Sequence, residues 1–589
     1  MLKDRIEELV KEALAKNLEQ GSLGELAAVP DVVPVELPKN PEHGDRAISI
    51  AMKLAKEAKI APRAIAEAIV DKLDGQAFSK VDIAGPGFIN LVIDWSLLED
   101  LVAQVHSQDQ DFGKVPAAER ADQSFESVIV EYVSANPTGD LHLGHGRQAV
   151  LGSALVNLLR SAGYKASSEF YINDAGVQMS KLANSAREAL MVHRGKLKAE
   201  KYDDENNYPL AAMQEIVEEL DGKVPEDYDP EVCKLAAKEI YLAQQKEILS
   251  EAKVEFETWY SELEHLHNGD ETKVDKICQQ LKEAGYAYDK DGALWFKAQE
   301  FGDERDRVLR KADGYYTYLA ADLAYHQDKF ARADRLINLW GADHHGQIPG
   351  IKGALQALGN DAASLEIVLM QMVSLTKAGV EVKMSKRSGN FVTVRELIEE
   401  VGVDAFRYFL VESQANNRIV FDLELAAKQD KDNPVYYVQY AHARSCGVLR
   451  NLTQEQPDQA SLAGSQVAKA LLTQDEYQTW LNDFKTNSGL FAQAFADLNK
   501  EELASTKALI LALANFPEEI KDAAASYSPY KIANYIKELA ALFHQFYTHN
   551  RVINDNQDLM KARVSLVAAT QKVLRNALNI LAIDAPERM

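Results

Sequence analysis

The stretch that most constrains the fold runs from Val128 to Gly163, VIVEYVSANPTGDLHLGHGRQAVLGSALVNLLRSAG. Val128 to Val133 is β-branched and apolar apart from Glu131 and Tyr132, as in a buried strand. Asn136, Pro137 and Gly139 then end the regular pattern. From His145 onward the apolar residues Val150, Leu151, Ala154, Leu155, Leu158 and Leu159 recur at helical spacing, and Gly163 stands where a C-terminal cap is expected. The unit is predicted to be strand, loop, helix. A second strand, Ser167 to Ile172, follows and stops at Asn173-Asp174-Ala175-Gly176. A βαβ unit implies a parallel sheet with ligands at the carboxyl ends of its strands.

His142-Leu143-Gly144-His145 falls on the loop just ahead of the helix, where unpaired backbone N–H groups and the positive end of the helix dipole favour anions. Two imidazoles there can donate hydrogen bonds to phosphate oxygens. Gly144 would let a flat base lie against the backbone, and Gly146 would keep the next turn open. Alone, H-x-G-H is a common pattern that serves equally well as a helix cap. A second stretch, Glu381 to Asn390 (EVKMSKRSGN), is basic and carries Ser and Gly, in a chain whose formal net charge is −25. The two stretches, in this order around an α/β segment, resemble the signature motifs of class I aminoacyl-tRNA synthetases. That resemblance implies that His142, Gly144 and His145 contact ATP and that Lys383, Met384, Ser385 and Lys386 form the loop over its phosphates. On this reading His142, His145, Lys383 and Lys386 are the catalytic side chains.

At 589 residues the chain exceeds what one core can organise, so three or four domains are expected. The acidic balance argues against a general nucleic-acid binder, but local basic patches can still hold tRNA in a salt-sensitive way. Cys233, Cys278 and Cys446 are far apart and in no C-x-x-C spacing, which removes a disulfide framework and a Cys-type zinc site. The charged, amphipathic N-terminus is unlike a signal peptide, and no apolar run reaches membrane-spanning length. A cytoplasmic protein with no membrane contact, no bound metal and no protein-bound zinc is expected.

The chain divides as a multidomain α/β protein. Residues 1–110 read as an α+β module, helical at Ile6 to Leu18 and Pro62 to Leu73, and strand-like at Val32 to Leu37, Val81 to Ile83 and Phe88 to Ile93. Residues 121–390 read as a Rossmann-like catalytic segment with a charged, helical insertion near 185–290 and alternating patterns at Ala293 to Phe296, Tyr315 to Leu319 and Leu336 to Trp340. Residues 391–432 read as connecting helices, at Val394 to Val401 and Asp404 to Glu412, and 433–589 as an all-α bundle with long amphipathic runs around Val435 to Asn451, Glu476 to Leu498, Tyr530 to Tyr547 and Lys561 to Leu581.

Glu131 interrupts an apolar strand, so its carboxylate must either pair with a cation or face a ligand. Asn136 follows in the loop. Tyr318 and Asp322, four apart, share a face if a helix starts there; Asp322 could equally be a cap or a surface charge. Two carboxylates, an amide and a phenol would suit a guanidinium, whose planar fork pairs bidentately with carboxylates.

At this point the chain resembles the arginyl-tRNA synthetases of bacterial type over nearly its whole length. The blocks that carry the resemblance include EYVSANPTGDLHLGHGRQAVLG, YINDAGVQ, FGDERDRVLRKADGYYTYLAADLAYH, WGADHHGQ and VKMSKRSGN. It implies that Glu131, Asn136, His142, Tyr318 and Asp322 bind arginine and that Gly341, Asp343 and His344 hold the ATP ribose. It further implies ATP with Mg²⁺ as the substrate complex, tRNA(Arg) as the partner, and a monomer. The first domain would meet the tRNA elbow and the bundle the anticodon. Tyr535, Phe543 and Phe546 recur at helical spacing and read as core, leaving Tyr547 and His549 as candidates for base stacking in tRNA binding. Three neighbouring readings fit less well. A cysteinyl enzyme would need zinc-binding cysteines, a nucleotidylyltransferase would not need the long helical segment after the basic loop, and a non-catalytic tRNA-binding relative should have lost the phosphate-binding residues.

Overall fold

The computed structural model describes residues 2–589 except 39, 41–42, 74, 227, 383–391, 454–471 and 487–488. Four short antiparallel strands, Val35–Glu36 (β1), Arg46–Ile48 (β2), Phe78–Ala84 (β3) and Phe88–Ile93 (β4), lie in the order β1-β2-β4-β3. The expected strand over Val32 to Leu37 shrinks to two residues, because Pro34 and Pro38 lack the N–H a ladder needs. Helix Leu2–Glu19 buries Ile6, Leu9, Val10, Ala13 and Leu14 at helical spacing, and helix Pro62–Lys72 has proline in its first turn.

The parallel sheet begins with Ser127–Glu131 (β5), Lys165–Ile172 (β6) and Thr258–Ser261 (β7). Helix Leu143–Ser161, the signature helix, makes the crossover from β5 to β6. The insertion is helical over Val177–His193 and Pro230–Glu251, with its own small core around Leu182, Met213, Ile240 and Tyr241. The mostly helical reading of 185–290 did not single out β7, which pairs in parallel with β6 and so belongs to the main sheet. Its four residues, Thr-Trp-Tyr-Ser, are too few to show a period inside a charged region.

Ala287–Lys290 (β8), Ala293–Phe296 (β9) and Arg307–Arg310 (β10) form a separate antiparallel sheet. Arg335–Gly341 (β11) and Leu365–Met370 (β12) complete the parallel sheet in the order β12-β11-β5-β6-β7, with Asn338 opposite Glu131. The strand-like reading of Tyr315 to Leu319 is also corrected. Only Tyr316 makes a bridge, to Arg310, and helix Tyr318–Phe330 starts behind Thr317. Last come Val373–Lys377 (β13), Val380–Val382 (β14) and Ile419–Asp422 (β15), ordered β14-β13-β15, with β14 ending just before Lys383.

Helices Pro434–Thr453, Lys500–Ala525, Tyr530–His549 and Gln557–Ile580 make up most of the bundle, and Tyr535, Phe543 and Phe546 lie in its core. The predicted run from Glu476 to Leu498 is two helices, Gln474–Thr486 and Leu490–Ala494. Glu99 of the N-terminal part caps the second by accepting the N–H groups of Gly489, Leu490 and Phe491 at 3.0–3.3 Å. Arg407, fully buried, joins three parts of the chain. It donates to the Leu581 carbonyl behind the last helix, to the Ala252 carbonyl at the end of the insertion, and to the Ser153 hydroxyl of the signature helix, all at 2.8–2.9 Å.

Candidate active site

The carboxyl ends of β5, β6 and β11 open onto a cavity of about 460 Å³, whose lining includes Glu131, Asn136, Tyr171, Glu262, Tyr318 and Asp322. Beyond Glu131 the chain turns through two consecutive left-handed residues, Val133 at φ +69° and Ser134 at φ +42°. A β-branched side chain is strained there, and through this turn the chain brings Ser134 and Asn136 into the cavity lining. The Ser134 hydroxyl donates to Glu131 Oε1 at 3.1 Å and accepts the Tyr171 N–H at 3.2 Å.

Glu131 has a built-in counter-ion. Lys329, fully buried on helix Tyr318–Phe330, donates to Glu131 Oε2 at 2.6 Å and to Asn338 Oδ1 at 2.9 Å. Asn338 Nδ2 contacts His326 Nε2 at 2.8 Å, and His326 Nδ1 lies 2.7 Å from the Asp322 carbonyl. A carbonyl can only accept, so Nδ1 carries the proton and Nε2 accepts from Asn338. Burial, with Lys329 nearby, holds this imidazole well below its ordinary pKa and therefore neutral. Beneath the cavity, Glu169 is likewise satisfied, accepting from Arg332 at 2.6 and 3.0 Å and from the Tyr325 hydroxyl at 2.8 Å.

Asp322 is different. Among the described residues no cation pairs with its carboxylate, and its pKa is pushed up to about 8, first by burial and then by the charges of Glu131 and Glu262. Glu262 was not anticipated from the sequence. It is the first residue of the short helix Glu262–Leu266, capped by Ser261, and it is buried, with His267 Nε2 at 3.1 Å. The charges of Glu262 and Asp322 help to raise the pKa of the Tyr171 phenol, after burial as the main cause. The usable signal was Ser261-x-x-Glu264, a helix-start pattern directly behind β7. Three carboxylates with one internal cation leave the cavity acidic, as a cationic ligand requires. Tyr318 opens helix Tyr318–Phe330 and is largely exposed; it and Asp322, one turn on, both line the cavity.

His142 caps the signature helix. Its Nδ1 accepts from the N–H groups of Gly144 at 3.1 Å and His145 at 3.4 Å, and His145 Nδ1 accepts the His142 N–H at 3.4 Å. The rings stack with centroids 3.7 Å apart. With Nδ1 accepting in both, the proton of each neutral ring sits on Nε2. Two expectations change. The first-turn N–H groups of Gly144 and His145 already serve His142, and a Cβ on Gly144 would lie 3.0 Å from its ring. Gly146 admits a packing contact rather than an open turn, since a Cβ there would meet Phe406 at 2.9 Å.

Lys383, Met384, Ser385 and Lys386 lie outside the described residues. The chain re-enters beside the histidines, where Thr393 bridges His142 and the Val394 N–H donates to the Leu141 carbonyl at 2.8 Å. Gly341 and His344 line the cavity where β11 ends, and Asp343 is exposed, 3.7 Å from His344 Nε2. Far away in the bundle, the Arg444 guanidinium covers the Tyr547 ring at 4.0 Å, and His549 Nδ1 is 3.5 Å from Glu501 Oε2. Among the described residues no cluster of His, Cys, Asp and Glu could hold a metal ion, and no helix is long and apolar enough to cross a membrane.

Comparison with known proteins agrees with this geometry. Residues 4–93 match the arginyl tRNA synthetase N terminal domain, 108–433 the catalytic domain of class I (R) tRNA synthetases, and 438–589 the DALR anticodon binding domain. An arginine–tRNA ligase of Bacillus subtilis is 41% identical over 600 residues, covering 100% of this chain and 99% of its own. Arginine–tRNA ligase 1 of Halalkalibacterium halodurans is 40% identical over 594 residues, with the same coverage. In fold, the chain is similar to the arginyl-tRNA synthetase of Thermus thermophilus, with a TM-score of 0.70 at 21% identity and 100% of both chains covered. An acidic pocket at the strand ends, stacked histidines at the head of the first crossover helix and likeness along the full length lead to one conclusion: the chain belongs to the arginyl-tRNA synthetase family of class I.

Proposed function

We propose that the cavity receives L-arginine, with its guanidinium against Asp322 and Glu262 beside Tyr318, and its α-ammonium toward Glu131 and Asn136. The observation that carries this reading is the acidic excess: Asp322, raised to about 8, lacks the counter-charge that a guanidinium would bring. The activity is that of an arginine–tRNA ligase, as in its relatives.

The arginine carboxylate attacks the α-phosphate of Mg·ATP, giving arginyl-adenylate and pyrophosphate, and the terminal ribose hydroxyl of tRNA(Arg) then attacks the arginyl carbonyl, breaking its bond to the phosphate and releasing AMP. No covalent enzyme intermediate is needed, so positioning and fixed donors supply the acceleration. The Nε2–H groups of His142 and His145 face the charge growing on the α-phosphate, with His142 also near the arginine carboxylate. Gly144, Gly341, Asp343 and His344 form the adenosine side of the site. Lys383 and Lys386, with Met384 and Ser385 between them, take the departing pyrophosphate. Tyr547 and His549 are proposed to meet tRNA bases, and Arg444 would then have to leave or share the Tyr547 ring. A monomeric, cytoplasmic enzyme is the expectation that follows from the family resemblance.

The direct test is charging of total tRNA with each amino acid in turn, with ATP and Mg²⁺. Arginine alone should be transferred. Transfer of another amino acid, or tRNA binding without any charging, would overturn the assignment.

A further inference from the structure

Arg147 lies in the second turn of the signature helix and is only 1% exposed. Its Nη1 donates to the carbonyls of Gln371 at 2.7 Å and Asn417 at 2.9 Å, and its Nη2 to the carbonyl of Gln414 at 2.9 Å. Among the described residues no carboxylate pairs with it, and its Nε has no hydrogen-bond partner. Burial lowers the guanidinium to about 10, so it stays charged at neutral pH. A buried cation held only by backbone carbonyls is a costly way to fill space, and an apolar side chain would pack there at less cost. Its use must lie in what it holds together.

The three carbonyls are not scattered. Gln371 stands two residues before Val373, where β13 begins, and Asn417 two residues before Ile419, where β15 begins. These strands run parallel, with Val373 paired to Ile419, so one guanidinium pins the start of both. Among the described residues β14 is bonded only to β13 within that sheet, and its last residue, Val382, immediately precedes Lys383. On the far side of the basic loop, Thr393 and Val394 are fastened to His142 and Leu141. Both roots of the loop are therefore tied to the head of the signature helix.

We propose that Arg147 is a positioning residue for adenylate formation, setting the separation between the signature histidines and the platform from which the K-M-S-K loop departs. The inference rests on the proposed roles of Lys383 and Lys386 at the ATP phosphates.

The test is a double-mutant cycle with R147K, K386A and the double variant, read by arginine- and tRNA-dependent ATP–pyrophosphate exchange, with arginine affinity measured separately by calorimetry. R147K should lower the exchange rate at least tenfold and raise the KM for ATP, while arginine affinity stays within about twofold. In the K386A background the same substitution should add less than about threefold, because one of the two lysines whose placement it governs is already gone. Additive losses, a parallel fall in arginine affinity, or unchanged exchange in R147K would overturn the proposal. Unchanged exchange in K386A alone would instead sink the phosphate reading beneath it. If R147K does not fold, hydrogen exchange on the wild-type protein decides: Val373–Val382 and the first turns of the signature helix should open as one unit, and independent opening would refute the pin.

Discussion

One helix, Tyr318–Phe330, carries two opposite solutions to a buried carboxylate. Near its end, Lys329 neutralises Glu131 and is itself held by Asn338, so that the floor of the cavity is closed electrostatically before any ligand arrives. In its second turn, Asp322 faces Glu131 and Glu262 with no cation of its own and is driven toward its protonated form. The two carboxylates share a cavity and differ in whether the described residues supply a counter-charge: Lys329 does so for Glu131, and no cation does so for Asp322. Glu131 thus reaches the cavity with its charge already balanced, whereas Asp322 is the carboxylate whose missing counter-charge a guanidinium would bring on the proposed reading.

The sharpest way to break this contrast is to remove the internal cation. Lys329→Met should cost about 3–5 kcal/mol of stability in urea unfolding, the usual penalty for leaving one partner of a buried pair. A loss below about 1 kcal/mol would mean that Glu131 is not closed by Lys329. On the open side, Asp322→Asn should weaken arginine binding by about 2–5 kcal/mol, measured by calorimetry, with little loss of stability. Near-normal arginine affinity would place the guanidinium elsewhere.

A third prediction concerns pH. Asp322 has a folded pKa raised above its unfolded value, so the folded chain binds the extra proton between about 4 and 8, and its contribution to stability falls as pH rises through that window. Arginine needs the ionised form, so its affinity should rise by up to about tenfold per pH unit below 8 and level off above. Thermal shift by arginine should accordingly be larger at pH 8.5 than at 6.5. A flat profile would show that Asp322 does not titrate on binding. The smallest effect belongs to the exposed rim: Tyr318→Phe should cost about 0.5–1.5 kcal/mol in arginine KM, the worth of one hydrogen bond.

How far the sequence reached follows the same division between local and distant causes. The strand–loop–helix of the signature block was legible because apolar spacing, Pro137 and Gly139 act within a few residues. Helix Val394–Val401 was legible for the same reason, with Thr393 and Glu396 forming a capping box. Glu131 could be flagged as anomalous, but its pairing depended on Lys329, 198 residues away; it takes that cation and also lines the cavity. Glu262 stayed hidden because β7 has only four residues and its place in the sheet is set by β6, not by its own pattern. Gly489 was an unreadable break for a similar reason, since the cap that ends the predicted run comes from Glu99 in another part of the chain.

Arg407 carries a consequence for anyone wishing to divide this chain. One side chain closes the end of the last helix, the end of the insertion and the middle of the signature helix at once. The segment matched to anticodon binding and the segment matched to catalysis are therefore not separable cassettes. A fragment ending before Leu581 would leave a charged group inside the reaction centre's own scaffold with a bond unmade, and a transplanted bundle would have to bring a carbonyl to that same point.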